Sequence, residues 1–436
     1  MSLPTTRDQC RGHLFANASA ELFWHDDQLC SGAVGRRARL MKLLWEEGLI
    51  EELGKLGLIA EVAPVAEANL HHEFAVRLRR SFRLSYCYEW CPEMWKAGAL
   101  YLTRLLEELA RFQLTIEDLL PHNLVFDGPQ PVYINPATFS HLTSDNFGHA
   151  INSLSEFFLY PITLSSSGKS HLARRLLRGV TEGIKANDFV ELQELAARIS
   201  TWAKTMSPLE CLRELQNEVE RMPINDAESE WSNYTNGNAP LIPEKNWSQK
   251  QHQVHRVLSE HRPRSVLDLA CNVGWYSKLA ATMVPDVIAA DFDETCVNRL
   301  YRSVQSKGDG ILPVLMNVID PSPGFGVGNS WLLPASQRFQ SDLVLALAVS
   351  HHLVFSNPKL TFEQLVHAFD PFVQRWLLIE WIPFDSPGMI YSTYDRPESA
   401  RWYDLESFVA AFAKRFSAMT VLPGEPQSRR LVLCER

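Results

Sequence analysis

The sequence predicts an α/β chain of two domains. Residues 1–225 read as a helix-rich α+β domain, and residues 226–436 as a domain built on a mostly parallel seven-stranded sheet. Three observations lead there. The 436 residues exceed the roughly 100–200 of an average domain. The second half alternates short apolar strand runs with amphipathic helical patterns, which implies right-handed crossovers and a parallel sheet covered on both faces. Between the halves, the stretch Arg221 to Asn246 is polar, carries Pro223, Pro240, Pro243 and the turn dipeptide Asn236-Gly237, and lacks periodicity.

In the first domain, Gly32 and Gly35 lie in a basic, helix-like run, and Ala38 to Leu58, Met94 to Leu114 and Asp188 to Lys204 carry apolar residues at helical spacing. Asn123 to Phe126 and Val132 to Ile134 flank the turn signal Asp127-Gly128-Pro129 and read as a strand pair. In the second domain, helix Gln249 to Glu260 precedes strand Ser265 to Leu269. Helix Ser277 to Met283, strand Val287 to Ala290, helix Glu294 to Gln305 and strand Ile311 to Met316 follow. Strand Asp342 to Ala348, helix Thr361 to Ala368 and strand Trp376 to Ile379 continue the alternation. Asp404 is the expected N-cap of a last helix, after which strands Ala418 to Leu422 and Arg430 to Cys434 form a hairpin expected to add an antiparallel edge.

A composition of 46% hydrophobic and 21% charged residues excludes disordered, collagen-like and coiled-coil classes. The longest uncharged apolar run, near Leu343 to Val349, is far short of the roughly 18–20 residues of a membrane span. The opening MSLPTTRDQC does not read as a signal peptide, so the expected location is the cytoplasm and the expected membrane partner is none. Eight scattered cysteines then read as free thiols. Cys87 and Cys91, with His71 and His72 upstream, lack the spacing of a zinc knuckle and are expected to be packed core thiols; no metal site is expected. Nearly all of the net charge of −9 belongs to the residues before Trp231, where 23 Lys and Arg stand against 31 Asp and Glu. Neither half shows the basic stripe of a nucleic-acid binder, and the local cluster RLRRSFR (Arg77 to Arg83) reads as a solvated strand or loop edge.

In open parallel sheets, ligands settle at the carboxyl ends of strands where the strand order reverses. The first strand-turn-helix, SVLDLACNVGWYSKLA, ends its strand near Asp268 and places small residues Ala270 and Gly274 in the turn, letting backbone N–H groups approach a ligand. The second strand ends in IAADFDET, so Asp291 stands about twenty residues on, where a carboxylate accepts from both hydroxyls of an adenosine ribose. Together these features indicate an adenosine-containing cofactor.

Residues from about Trp231 to Arg436 resemble the class I S-adenosylmethionine-dependent methyltransferases. The likeness runs through DLACNVGWYS, ADFD, ILPVLMNVIDPSPG, SDLVLALAVSHHL and WLLIEWIP, in the family's order and spacing. It implies a Rossmann-like sheet and S-adenosylmethionine as cofactor. The likeness extends to a bacterial subgroup of nodulation-protein-like methyltransferases with a long N-terminal region. The stretch from SYCYEWCPEMW to YINPATF, and the later FFLYPITL and RRLLRG, are similar to that subgroup's signatures.

The resemblance assigns cofactor binding to Trp231, Tyr234, Asp268, Ala270, Cys271, Asn272, Gly274, Trp275, Tyr276, Asp291, Phe292, Asp293, Asn317, Val318 and Ala348. Asp268 is expected to orient the first loop near the methionine ammonium, and Asp291 to hold the ribose. Asn317 stands in place of the usual Asp beside the adenine, and its amide oxygen still accepts. Ala270 replaces a glycine, and its methyl is tolerated only if the backbone there is not left-handed. Trp231, Tyr234, Trp275 and Tyr276 are candidates for an aromatic wall around the sulfonium. His351 and His352, just beyond the fourth strand, are the candidate bases, with capping of the strand end or packing against the cofactor as the alternative; Glu380 is either an acceptor ligand or a buried structural group. The segment MIYSTYDRPESARWY reads as an acceptor lid or a docking surface.

A second constellation lies in DLLPHNLVFDGPQPVYIN. Asp118 and Asn123 have the spacing of a kinase catalytic loop, and Asn135 stands at its metal-binding Asp position. Asn135 lacks the charge that holds magnesium, and no phosphate loop with a following strand lysine precedes it, so a hairpin supporting the acceptor pocket is expected rather than phosphotransfer. The expected activity is methyl transfer to a small-molecule acceptor of bacterial secondary metabolism or signalling. The alternatives are methylation of a protein or carrier-bound substrate docked on the acidic N-terminal half, and a non-catalytic cofactor-binding or partner-binding protein.

Overall fold

A computed structural model describes residues 11–17, 20–25, 28–65, 71–179, 182–225, 227–233, 241–242, 247–329, 331–356, 359–384, 386 and 402–436. The chain forms two compact units, Met1–Asp226 with Gly324–Leu333, and Ala227–Pro323 with Pro334–Arg436. The segment 324–333 interrupts the second domain in sequence yet belongs to the first unit. There Phe325 meets the Tyr88 ring edge-on at 5.5 Å, and the Leu333 N–H donates to the Tyr86 hydroxyl at 3.1 Å.

The first unit opens with strands β1 (Arg11–Asn17), β2 (Ala20–His25) and β3 (Gln28–Ala33), then helices α1 (Gly35–Glu46) and α2 (Leu49–Lys55) and strands β4 (Val62–Pro64) and β5 (Phe74–Leu78). These strands make a five-stranded antiparallel sheet of order β1-β2-β3-β5-β4. This corrects the helix-like reading around Gly32: Ser31 and Gly32 lie in β3, and the basic helix begins only at Gly35. The expected single helix over 38–58 is two, because Gly48 takes φ 81° between them, a conformation open to glycine but not to a helical L-residue.

Helix α3 (Pro92–Arg111) follows, its stripe of Met94, Trp95, Leu102, Leu105, Leu106 and Leu109 buried as its spacing dictates. Strands β6 (Leu114–Ile116), β7 (Leu124–Asp127), β8 (Gln130–Tyr133) and β9 (Phe139–His141) come next, with β7 and β8 forming the expected hairpin. Helices α4 (Ser144–Leu154), α5 (Tyr160–Ser166), α6 (Ser170–Leu177), α7 (Val190–Thr205) and α8 (Pro208–Arg221) complete this unit. The described cysteines are buried free thiols, Cys87 and Cys91 among them.

In the second unit, α9 (Gln249–His261) leads to β10 (Ser265–Leu269), α10 (Trp275–Ala281), β11 (Asp286–Asp291), α11 (Glu294–Lys307) and β12 (Ile311–Leu315). Then come α12 (Ala335–Arg338), β13 (Ser341–Ala346), α13 (Ser350–Phe355), α14 (Phe362–Phe369), β14 (Val373–Trp381), α15 (Leu405–Ala413), β15 (Ala418–Pro423) and β16 (Arg430–Glu435). The seven-stranded sheet has the order β12-β11-β10-β13-β14-β16-β15. Strands β10 to β14 are mutually parallel, and β16 is antiparallel to both its neighbours, so the sheet is mixed. The closing hairpin forms the edge as expected, and within it the order is set by burial: β16, with the buried run Leu431 to Cys434, lies against β14, and the mostly exposed β15 is outermost. Strand order reverses between β10 and β13, which places the switch point at the carboxyl ends of these two strands. Among the described residues no helix is long and apolar enough to cross a membrane.

Candidate active site

At that switch point lies a cavity of about 270 Å³, lined by residues that follow β10, β11, β12 and β13, close to the lower end of ligand pockets at about 300 Å³. The turn after β10 builds its floor. Ala270 (φ 58°) and Asn272 (φ 54°) are left-handed, and Gly274 (φ 76°) is the N-cap of α10. The condition set on Ala270 is thus not met: its methyl sits in the conformation that costs an L-residue roughly 1–2 kcal/mol, strain of the kind that surrounding structure must hold in place. At Gly274 a β-carbon would come within 2.5 Å of the Leu300 side chain, so only glycine fits.

Asp291 fastens this turn to β11. Its Oδ2 accepts the Asn272 N–H at 2.7 Å and its Oδ1 the Asp293 N–H at 2.9 Å, while its own carbonyl accepts from Met316 at 2.8 Å. Burial pushes the Asp291 carboxyl up to about 6, against the lowering effect of those two N–H donors. Asn272 in turn donates from Nδ2 to the Trp231 carbonyl at 2.8 Å, which brings Trp231 to the wall. The Asn272 Oδ1 is buried and has no partner among the described residues. On the opposite side, Asn317 Oδ1 accepts the Ile319 N–H at 3.2 Å, and Phe292 is 58% exposed beside the opening.

The cavity brings together Trp231, Ala270, Asn272, Asp291, Phe292, Asn317, Val318, Ala348 and His352 from the residues named by sequence. It adds Leu269, Met316, Ile319, Leu347 and Val349, from the ends of strands and the loops that follow them, and Leu353 and Ser356, from α13 and its C-terminus. Other named residues do not line it. Asp268 is buried and accepts the Ser277 hydroxyl at 2.6 Å, fixing α10 to β10. Cys271 and Trp275 belong to the hydrophobic core, where Trp275 meets Trp247 edge-on at 5.5 Å, and Tyr276 packs on that cluster. Of the aromatic wall, then, Trp231 alone of the described candidates reaches the cavity; Tyr234 lies outside the described residues. Asp293 caps α11, accepting from the Cys296 N–H at 2.9 Å.

His352 is on the wall, 4.9 Å from the Trp231 ring centroid, and burial lowers its imidazole to about 4. His351, 3.9 Å from the His352 ring, is buried off the wall and lowered to about 2 by burial and then by His352. Glu380 is fully buried: its Oε2 accepts the Ala348 N–H at 2.9 Å and pairs with the Lys250 ammonium, and Arg429 stands 3.7 Å from Oε1. That is the structural alternative, with Glu380 holding the left-handed Ala348 (φ 54°) at the cavity mouth. Most of the lid segment lies outside the described residues; its Tyr403 is buried and donates to the Ile382 carbonyl at 2.8 Å. Among the described residues no group of three or more His, Cys, Asp or Glu is placed to hold a metal.

The buried carboxyl of Asp268 makes a pH prediction. Burial pushes it up to about 7, only partly offset by Ser277. The folded state therefore holds a proton that the unfolded state has released, and stability falls as pH rises from the unfolded value through about 7. Asp268→Asn removes that loss, so its advantage over the parent in urea unfolding is expected to grow by roughly 2 kcal/mol between pH 5 and pH 7. An advantage that stays constant with pH would show that Asp268 is already ionised in the fold.

In the first unit, the kinase-like positions do meet, with different chemistry. Asn123 Nδ2 donates to the Asp118 carbonyl at 3.2 Å, Asn135 Nδ2 to Asn123 Oδ1 at 3.1 Å, and the Ser31 hydroxyl to Asn135 Oδ1 at 2.6 Å. Asp118 is paired with Arg37 at 2.8 Å. Strand β3 carries QLCSGA and so offers no lysine, and the three amide and hydroxyl groups are tied to one another.

The strand order and the loops gathered at its switch point give the second unit a Rossmann-like α/β fold with a ligand site at the carboxyl ends of β10 and β13. Along its length the chain is similar to nodulation protein NoeA of Rhizobium meliloti (strain 1021), with 25% identity over 432 residues covering 89% of this chain and 87% of NoeA. No family model matches the chain. Among solved structures, it is similar to the magnesium protoporphyrin IX methyltransferase ChlM of Synechocystis PCC 6803 with bound SAM (14% identity, TM-score 0.28, 42% of this chain and 76% of ChlM). A second is the bifunctional kinase-methyltransferase WbdD (15%, TM-score 0.30, 41% and 36%). A third is the N-methyltransferase NodS of Bradyrhizobium japonicum WM9 (13%, TM-score 0.27, 42% and 93%).

The donor set fits S-adenosylmethionine. Asp291 keeps lone pairs for ribose hydroxyls beyond its two backbone bonds, the unpartnered Asn272 Oδ1 suits an ammonium or hydroxyl donor, and Asn317 and Phe292 on the same wall would hold a flat base.

Proposed function

We propose that this protein transfers a methyl group from S-adenosylmethionine to a small-molecule acceptor. The observation that carries the reading is the switch-point cavity, where Asp291 fastens the turn after β10 and faces the same space as Asn272, Asn317 and His352. The cofactor, when bound, supplies a methyl group activated by its sulfonium. The chain's part is to hold the cofactor by Asp291, Asn272 and Asn317, to exclude water with the apolar strand ends, and to present an acceptor atom in line at about 3 Å from the methyl. His352 is neutral at physiological pH and is the group on this wall able to take a proton from an acceptor hydroxyl or amine. The similarity to a nodulation protein supports an acceptor in bacterial signalling or secondary metabolism.

Calorimetric titration with S-adenosylmethionine and S-adenosylhomocysteine tests the reading. Binding of both at micromolar dissociation constants, about −8 kcal/mol, is the expected result. No heat from either ligand at millimolar concentration overturns it.

A further inference from the structure

The first unit contains a cavity of about 530 Å³ between α1, β9 and the start of α4, and the methyl-transfer reading makes no use of it. Three arginines of α1, Arg36, Arg37 and Arg39, line it. Arg37 is 4% exposed, a rare burial for a guanidinium. Its Nη2 is shared between Glu117 at 3.1 Å and Asp118 at 2.8 Å, while its Nε and Nη1 are buried with no acceptor among the described residues. A charged donor left that way is costly and needs an explanation. Arg36 shares the same Glu117, at 3.0 Å, and Arg39 has no carboxylate partner among the described residues. Positive charge therefore exceeds negative charge on this wall. Thr143 and Asn146, at the N-terminus of α4, complete the polar side; the Thr143 hydroxyl caps the Asn146 N–H at 3.2 Å, and Asp145 occupies the first turn.

We infer that this cavity binds a phosphate monoester through Arg37 and Arg39. The surplus of guanidinium charge favours an anion, and arginine is suited to phosphate oxygens. The volume exceeds that of a bare phosphate, and Leu40, Leu43 and Phe139 on the same wall give an organic body something to pack on. The ligand class is therefore a phosphorylated small molecule with an apolar or aromatic part.

The test is calorimetric titration of the full chain with phenyl phosphate at low salt, without S-adenosylmethionine, so that the result is independent of the methyl-transfer reading. Binding in the micromolar to low millimolar range is expected, with inorganic phosphate weaker. Arg37→Met is expected to abolish binding but risks the fold, because it strands Glu117 and Asp118. The exposed Arg39→Ser keeps the test decisive, with an expected loss of about tenfold. Arg256→Ser, on α9 of the other unit, is expected to leave affinity unchanged. No binding of phenyl phosphate at about 10 mM, equal affinity in Arg39→Ser, or an equal loss in Arg256→Ser overturns the inference.

Discussion

Asp291→Ala is expected to weaken S-adenosylhomocysteine binding by at least about 100-fold, near 3 kcal/mol. The size follows from the number of things one carboxylate does. It is the acceptor for the Asn272 and Asp293 N–H groups, which set the turn after β10, and it faces the cavity with its remaining lone pairs. The alanine loses the ligand contact and releases the turn together. Asp291→Asn separates these roles, since an amide oxygen still accepts one backbone N–H; a loss of roughly tenfold is expected there. The titration behaviour gives a second, sharper readout. Burial places the Asp291 carboxyl at about 6, so it is charged above that pH and protonated below. A ribose held by the carboxylate should bind about tenfold more weakly for each pH unit below 6, because the proton must first be removed. In Asp291→Asn that slope should vanish. A parent whose affinity is flat from pH 7 to pH 4.5 would take Asp291 out of cofactor binding.

The same residue shows how far sequence carried the site. Asp291 was visible because a strand, a small-residue turn and an acid about twenty residues on form a pattern imposed by backbone geometry. Asp268 stands on an equally clear strand, yet the structure spends it on Ser277, inside the packing of α10 on β10. Sequence gives the strand end but not which face a side chain takes there, and a one-residue step changes the face. Trp275 and Tyr276 fail for the helical version of that reason: both follow Gly274 directly, and the turn's path carries them into the core cluster with Trp247. Leu347 and Val349, after β13, and Leu353, in α13, were missed because an apolar residue looks the same whether it lines a cavity or fills a core.

The fold itself was most legible where alternation was strict. Strands β10 to β14 and their helices appear where the period changes predict them. The five-stranded sheet of the first unit was not seen, since β4 has three residues and β5 reads FAVRL, with too few alternations to stand out. The interior place of β16 could have been read: LVLC is an unbroken apolar run, as suits a strand with neighbours on both edges, whereas AMTVLP is broken by Thr420 and ends in Pro423, as suits an edge.

Lys250→Met is expected to destabilise the fold by about 3–5 kcal/mol in urea unfolding, although lysine is usually a dispensable surface residue. Glu380 is wholly buried on β14, and Lys250, only 13% exposed, reaches it from α9. Without that ammonium, the carboxylate keeps the Ala348 N–H at 2.9 Å and Arg429 at 3.7 Å, which is too little to offset the loss of its hydration. The buried pair is thus weak evidence of net stabilisation but strong evidence that neither half can be removed alone. The double variant Lys250→Met with Glu380→Gln tests this directly. It removes both charges and keeps an amide oxygen for Ala348, so it should be more stable than Lys250→Met alone, a coupling of opposite sign to simple addition. Because Ala348 is left-handed and lines the cavity, the single variant should also lose cofactor affinity that the double variant regains. If Lys250→Met costs under about 1 kcal/mol, the Lys250 contact behaves as an ordinary surface pair and the buried-pair account is wrong.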